Sequence, residues 1–133
     1  MPTRPTDEWR RRVDEEATAM ADGSLPAEKA YAHRLWPEQL ITDTEVVLTA
    51  FEADVRALAA PDDKQVFEVV QRVVEALNEV NYRQTGTGIE TGEREELCLY
   101  IDDSLTDAGV DVAALTARHG MPRHELTDEW RDW

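Results

Sequence analysis

Between Thr85 and Asp111 the chain carries Glu90, Glu93, Glu95, Glu96, Asp102, Asp103, Asp107 and Asp111 against one base, Arg94, a local charge of −7 within a total of −15. Carboxylates at this density suit two chemistries. They bind hard divalent cations where they converge in space, or they hold a cationic partner through an extended negative field. For the first, Glu93 with Glu96 and Glu125 with Asp128 are i, i+3 pairs that present two carboxylates on one side of a helical turn. For the second, a helical wheel over this stretch places Glu95, Asp102, Asp103 and Thr106 opposite the apolar arc, with Leu99 among them and Tyr100 at the edge. An apolar residue inside an acidic face has two explanations. Another helix covers it, or it anchors a partner inside a charged rim.

Other chemistries find little support. His33, His119 and His124 form no HxxxH or HxxE pattern, and His119 before Gly120 suits a helix C-terminus. Cys98 excludes an intrachain disulfide or CxxC motif and has no adjacent base, so it reads as a buried, inert thiol. No serine stands in a GxSxG turn. The Gly- and Thr-rich segment Gln84 to Gly92 lacks the GK[ST] of a phosphate loop and reads as a connection between helices. The stripe Gln71, Glu75, Asn78 and Tyr82 reads as a solvated face, with a ligand or partner contact as the alternative.

Helices must position these groups. With 133 residues, 41% apolar and 32% charged, the composition is that of one folded domain. Thr6 is expected to cap a first helix running to about Ala21, with Trp9, Val13, Ala17 and Met20 on one stripe. Residues 26–36 form a second helix that Pro37 ends. Thr42 with Glu45 has the form of a capping box and starts a third, with Val47, Phe51, Val55 and Leu58 inward. Asp62 with Gln65 is a second box, followed by Val66, Val70, Val73, Leu77 and Val80 at helical steps. A fifth helix spans roughly Glu93 to Ala108 and stops at Gly109, and Asp111 caps a short sixth. The pentapeptide Thr6 to Arg10 recurs as Thr127 to Arg131, and Trp130 and Trp133 are expected to dock the tail. The fold class is therefore all-α, one domain of five or six helices centred on an antiparallel hairpin over about 63–108. Residues 1–41 form an N-terminal helical segment and residues 110–133 a short helix and tail around the core helices of 42–109.

Two resemblances bear on function. The Glu93/Glu96 and Glu125/Asp128 pairs resemble the ExxE…ExxD pattern of the all-helical, MazG-like nucleotide pyrophosphohydrolases, in which such pairs on facing helices hold Mg²⁺. The second pair, however, lies beside a proline and outside a long helix. Separately, Leu77-Asn78, the Gly88-Ile89-Glu90-Thr91 segment with Arg94-Glu95, and the final Arg131-Asp132-Trp133 resemble a family of short acidic bacterial helical proteins for which no activity is established. That resemblance covers roughly Glu45 to Asp111 plus the last three residues. It implies a bacterial, intracellular, helical protein, and it singles out Glu90, Thr91 and Arg94 without giving them a role.

The reading that follows is a non-catalytic acidic binding protein of immunity or antidote type that occludes a basic protein. Its contact residues are Glu90, Arg94, Glu95, Leu99, Tyr100, Asp102 and Asp103. No cofactor or metal is expected, and the acidic field disfavours nucleic acid. No run is apolar enough for a membrane span and residues 1–12 lack a signal's apolar core, so a cytoplasmic monomer or weak homodimer is expected. The alternative is a Mg²⁺-dependent nucleotide hydrolase built on the carboxylate pairs.

Overall fold

The valines of residues 66–80 are β-branched, yet their three- and four-residue spacing is realised as a helix, and Val66, Val70, Val73, Leu77 and Val80 are all buried. The computed structural model describes residues 1–86 and 88–133, so Thr87 of the expected Gln84–Gly92 loop lies outside the described residues. It contains α1 (Pro5–Ala21), α2 (Ala32–Leu35), α3 (Glu38–Arg56), α4 (Asp63–Tyr82), α5 (Thr91–Asp107) and α6 (Val112–Arg118), with 3-10 turns at Ala27–Lys29 and Arg123–Glu125. No strand occurs among the described residues.

The capping box predicted for α4 is present. The Asp62 carboxylate accepts from the Gln65 amide at 2.8 Å, and the Gln65 side chain accepts from the Asp62 amide at 2.9 Å. Helix α4 packs most extensively on α3, and the ion pairs Arg72–Asp54 (2.7 Å) and Arg83–Asp43 (3.8 Å) step in opposite directions along the two helices, as an antiparallel pair requires. Helices α4 and α5 both contribute to this core, but the expected central hairpin of the two is not a closely packed pair; the antiparallel pair at the centre is α3 with α4. Helix α5 lies against α1 and α3. The turn into α5 is closed by Asn81, whose carbonyl oxygen accepts from the Ile89 amide at 2.9 Å. A Cβ on Gly88 would stand 2.3 Å from that same side-chain oxygen, so a larger residue there would have to displace the Asn81 amide from its bond to Ile89.

Three helix starts differ from expectation. Helix α1 begins with Pro5 at its first turn, and Thr6 is buried inside the helix, where it caps nothing. Helix α3 begins at Glu38 after Pro37, four residues before the Thr42 box; the Thr42 hydroxyl instead donates back to the Glu38 carbonyl at 2.7 Å. The second helix is broken into the 3-10 turn and α2. The Glu16 carboxylate of α1 accepts from the amides of Tyr31 (3.4 Å) and Ala32 (2.6 Å), so it caps α2 from another element.

The C-terminal segment crosses α4, and Asn78 holds it. The Asn78 amide donates to the Trp130 carbonyl at 2.8 Å and accepts from the Asp132 amide at 2.9 Å, while the Tyr82 hydroxyl donates to the Asp132 carboxylate. Trp133 is 7% exposed, and its indole donates to the Val74 carbonyl at 3.4 Å. The stripe expected to face solvent on α4 is thus in part the seat of the tail. Loss of two hydrogen bonds at a buried amide costs about 2 kcal/mol. Asn78→Ala is therefore expected to lower the unfolding free energy by that amount in urea denaturation, and a change within about 0.5 kcal/mol would show that the tail is held by other means.

Candidate functional site

The acidic stretch of the sequence becomes α5 and its flanks, and a groove of about 710 Å³ runs between α5 and the C-terminal segment. From α5 it is lined by Arg94, Glu95, Cys98, Leu99, Asp102 and Asp103. The opposite wall is Arg123, His124, Leu126, Thr127 and Arg131, and it stands where it does because Asn78 pins the tail and Leu126 is buried in the core. Leu99 projects from α5 at 61% exposure. No other helix covers it, which answers the question its place in the acidic face raised.

The expected contact residues divide into three groups. Glu95, Leu99 and Asp103 are exposed along the groove, and Arg94 is half-buried in its wall. Asp102 also lines it but is already engaged, since Arg123 donates to its two carboxylate oxygens at 2.8 and 2.6 Å. Glu90 is exposed at the N-cap of α5 and does not line the groove. Tyr100 does not belong to the surface at all. It is 3% exposed, packs edge-on against Phe51 and donates its hydroxyl to Glu52. A wheel places Tyr100 at the margin of the acidic face, but a phenol reaches farther than the backbone angle suggests, and its partner is 48 residues away in sequence.

Glu52 is the hub of a buried polar triad. Arg4 grips it through two hydrogen bonds of 2.7 Å, with Tyr100 as the third donor. The Arg4 bond holds the Glu52 carboxyl below its usual range against the opposing effect of burial, with Tyr100 adding to the lowering. Burial first, then the Glu52 bond, pushes Tyr100 up to about 12, so the phenol stays neutral. Neither Glu52 nor Asn78 stood out as a fixed point in the sequence. Asn78 figures in the polar stripe and in the Leu77-Asn78 resemblance, but neither points to a contact with the tail, and Glu52 is marked only by its apolar helical neighbours.

The paired carboxylates do not come together. Glu96 accepts from the Trp9 indole at 3.1 Å on the α1 side, whereas Asp128 pairs with Arg131 at 2.8 Å on the tail. Glu93 is 8% exposed, and its Oε1 has no hydrogen-bond partner. Among the described residues no three His, Cys, Asp or Glu side chains are placed to hold a metal ion. Cys98 lies 3.4 Å from the Thr127 hydroxyl, and burial pushes its thiol up, which keeps it protonated. Comparison with known protein families, curated proteins and solved structures finds no match to this chain.

Glu93 and Glu52 titrate in opposite senses. Burial, reinforced by Glu96 and Glu90, raises Glu93 above its ordinary 4.5, so the penalty for its charge is absent below that value and grows as pH rises. Glu52 is lowered, so its contribution is present above 4.5 and lost as pH falls through its folded-state value. Relative to the parent chain, Glu93→Gln is therefore expected to become more stable, and Glu52→Gln less stable, as pH is raised from about 3 to about 7. Urea denaturation across that range checks both, and parallel pH profiles for the two variants would refute the assignment.

Proposed function

We propose that the protein is a non-catalytic binding module that docks a basic protein along the outer face of α5, in the manner of an immunity or antidote protein occluding a cationic partner. The observation that carries this reading is Leu99, an exposed leucine on α5 flanked by Glu95 and Asp103, whose carboxylates have no partner among the described residues. A lone apolar contact ringed by free carboxylates matches the core-and-rim anatomy of an interface. The chain's −15 adds a long-range field that speeds encounter with a cation and slows it with an anion. Tyr100 is not part of the contact and Asp102 contributes little, because the first is internal and the second is neutralised by Arg123. No helix among the described residues is long and apolar enough to cross a membrane. A cytoplasmic setting and a monomeric or weakly dimeric state are parts of the same proposal.

A basic protein encoded beside this one is the natural probe, titrated calorimetrically at low and at raised salt. Affinity is expected to fall as salt rises. Leu99→Ser is expected to weaken binding about tenfold, and Glu95→Lys combined with Asp103→Lys to weaken it further and flatten the salt dependence. Affinity indifferent to salt and to both changes would end this reading.

A further inference from the structure

In a chain with twice as many carboxylates as bases, a cation without a carboxylate partner is anomalous. Among the described residues, nine of the 14 basic side chains pair with a carboxylate, and the Arg12 guanidinium lies over the Trp36 ring at 4.7 Å. Of the remainder, Lys29, Arg34 and Arg56 are exposed and hydrated. Arg94 is not. It is half-buried in the wall of the α5–tail groove and makes no side-chain hydrogen bond or ion pair among the described residues. A guanidinium has five donors and no acceptor; none of the Arg94 nitrogens is a fully buried, unpartnered atom, so its donors face the water of the groove and are open to an incoming anion.

We propose that the Arg94 end of this groove binds a small amphiphilic monocarboxylate, its carboxylate on the Arg94 fork and its apolar body along Leu99 and Leu126. The planar fork matches a carboxylate through two parallel hydrogen bonds. The groove's volume of about 710 Å³ falls within the usual range for small-molecule sites. With Arg123 paired to Asp102 and Arg131 to Asp128, the groove leaves Arg94 beside Glu95 and Asp103, so an anion is held here by the directed hydrogen bonds of the fork and by its apolar body and not by the local net charge. The same rim sets the ligand's charge. Asp102 is neutralised by Arg123 and Arg131 is engaged by Asp128, so one free guanidinium faces Glu95 and Asp103. The single fork matches one carboxylate, and the two carboxylates repel a phosphate dianion more strongly than a monoanion. Cys98 on the groove floor is a protonated thiol and presents the ligand with a neutral, weakly polar contact. This site shares Leu99 with the protein contact proposed above but rests on Arg94 and the groove interior, so Arg94→Gln tests it without touching Glu95 or Asp103.

The test is a titration of the full chain with sodium decanoate below its micellar concentration, followed by NMR of the Arg94 side-chain Nε–Hε group and the Leu99 methyls. Decyltrimethylammonium and inorganic phosphate serve as matched probes, the first with the tail and the wrong charge, the second with charge and no tail. Saturable shifts at both residues with decanoate are expected, weaker by about tenfold in Arg94→Gln and absent with the two controls. Because Arg94 has no structural partner, Arg94→Gln is expected to keep the parent urea midpoint; Arg94→Lys, which retains charge without the fork, should bind with intermediate strength. The proposal is overturned if the cationic amphiphile or phosphate binds as well as decanoate, if Arg94→Gln leaves decanoate affinity unchanged, or if the shifts do not saturate or map elsewhere. It is overturned equally if only a carboxylate-bearing peptide binds, which would make the groove a protein contact.

Discussion

One side-chain amide fixes the arrangement of the C-terminal half. By donating to the Trp130 carbonyl and accepting from the Asp132 amide, Asn78 clips the last residues across α4 and lets Trp133 and Leu126 complete the core. A tail with exposed backbone amides would ordinarily fray, and two hydrogen bonds plus a buried indole are enough to oppose the ordering entropy of so short a segment. Everything on the far side of α5 depends on that clip. Without it the groove has one wall, Asp102 loses the arginine that neutralises it, and Thr127 no longer lies over Cys98.

On the N-terminal side the Arg4–Glu52–Tyr100 triad plays a comparable part, joining α3, α5 and the residue that precedes α1. Burying a carboxylate is costly unless its oxygens are satisfied, and here three donors meet them. The consequence for function is indirect but definite. Tyr100 is drawn inward, so the acidic face of α5 keeps Leu99 as its exposed apolar residue. Glu96, turned toward the Trp9 indole, is likewise committed to the fold. The negative charge that looks uniform in the sequence is therefore partitioned between carboxylates spent on internal contacts and the few, Glu95 and Asp103 among them, left for solvent or a partner.

What was legible in the chain follows from which interactions are local. The Asp62–Gln65 box, the Asp111 cap and the glycine stop at Gly109 each involve residues within a few positions of one another, and the structure contains all three. Long helices with strong periodicity, α4 above all, were equally readable. The failures were non-local. Thr42 has every feature of a cap, but Pro37 starts α3 a turn earlier, and the threonine hydroxyl turns back to Glu38. The break between the Ala27–Lys29 turn and α2 is set by Glu16, a residue on another helix. The repeated pentapeptide makes the same point. Thr6 to Arg10 is helical, whereas Thr127 to Trp130 is a run of turns, because α1 can continue for three more turns and the tail is held extended across α4. At the site, Leu99 and its acidic neighbours were visible from helical spacing alone. The groove was not, since half of it is contributed by a segment some 30 residues on that shows no periodicity.

The residues that carry the resemblance to short acidic bacterial proteins can now be sorted by what they touch. Asn78 and the Arg131-Asp132-Trp133 ending meet one another, with Arg131 donating to the Trp133 carbonyl at 2.6 Å. Ile89 is buried and tied by its amide to Asn81, and Gly88 leaves room for the Asn81 side chain to make that bond. These are closures of the chain on itself, so a protein sharing them would share the architecture and nothing further. Arg94 is different in kind. Its amide closes the first turn of α5 on the Glu90 carbonyl at 2.8 Å, but its side chain pairs with no carboxylate among the described residues and lies in the wall of a groove whose far side the closures put in place. A fold that pairs Arg4 with Glu52 and Arg123 with Asp102, and leaves the Arg94 guanidinium without a partner among the described residues, has kept its donors available for something outside the chain.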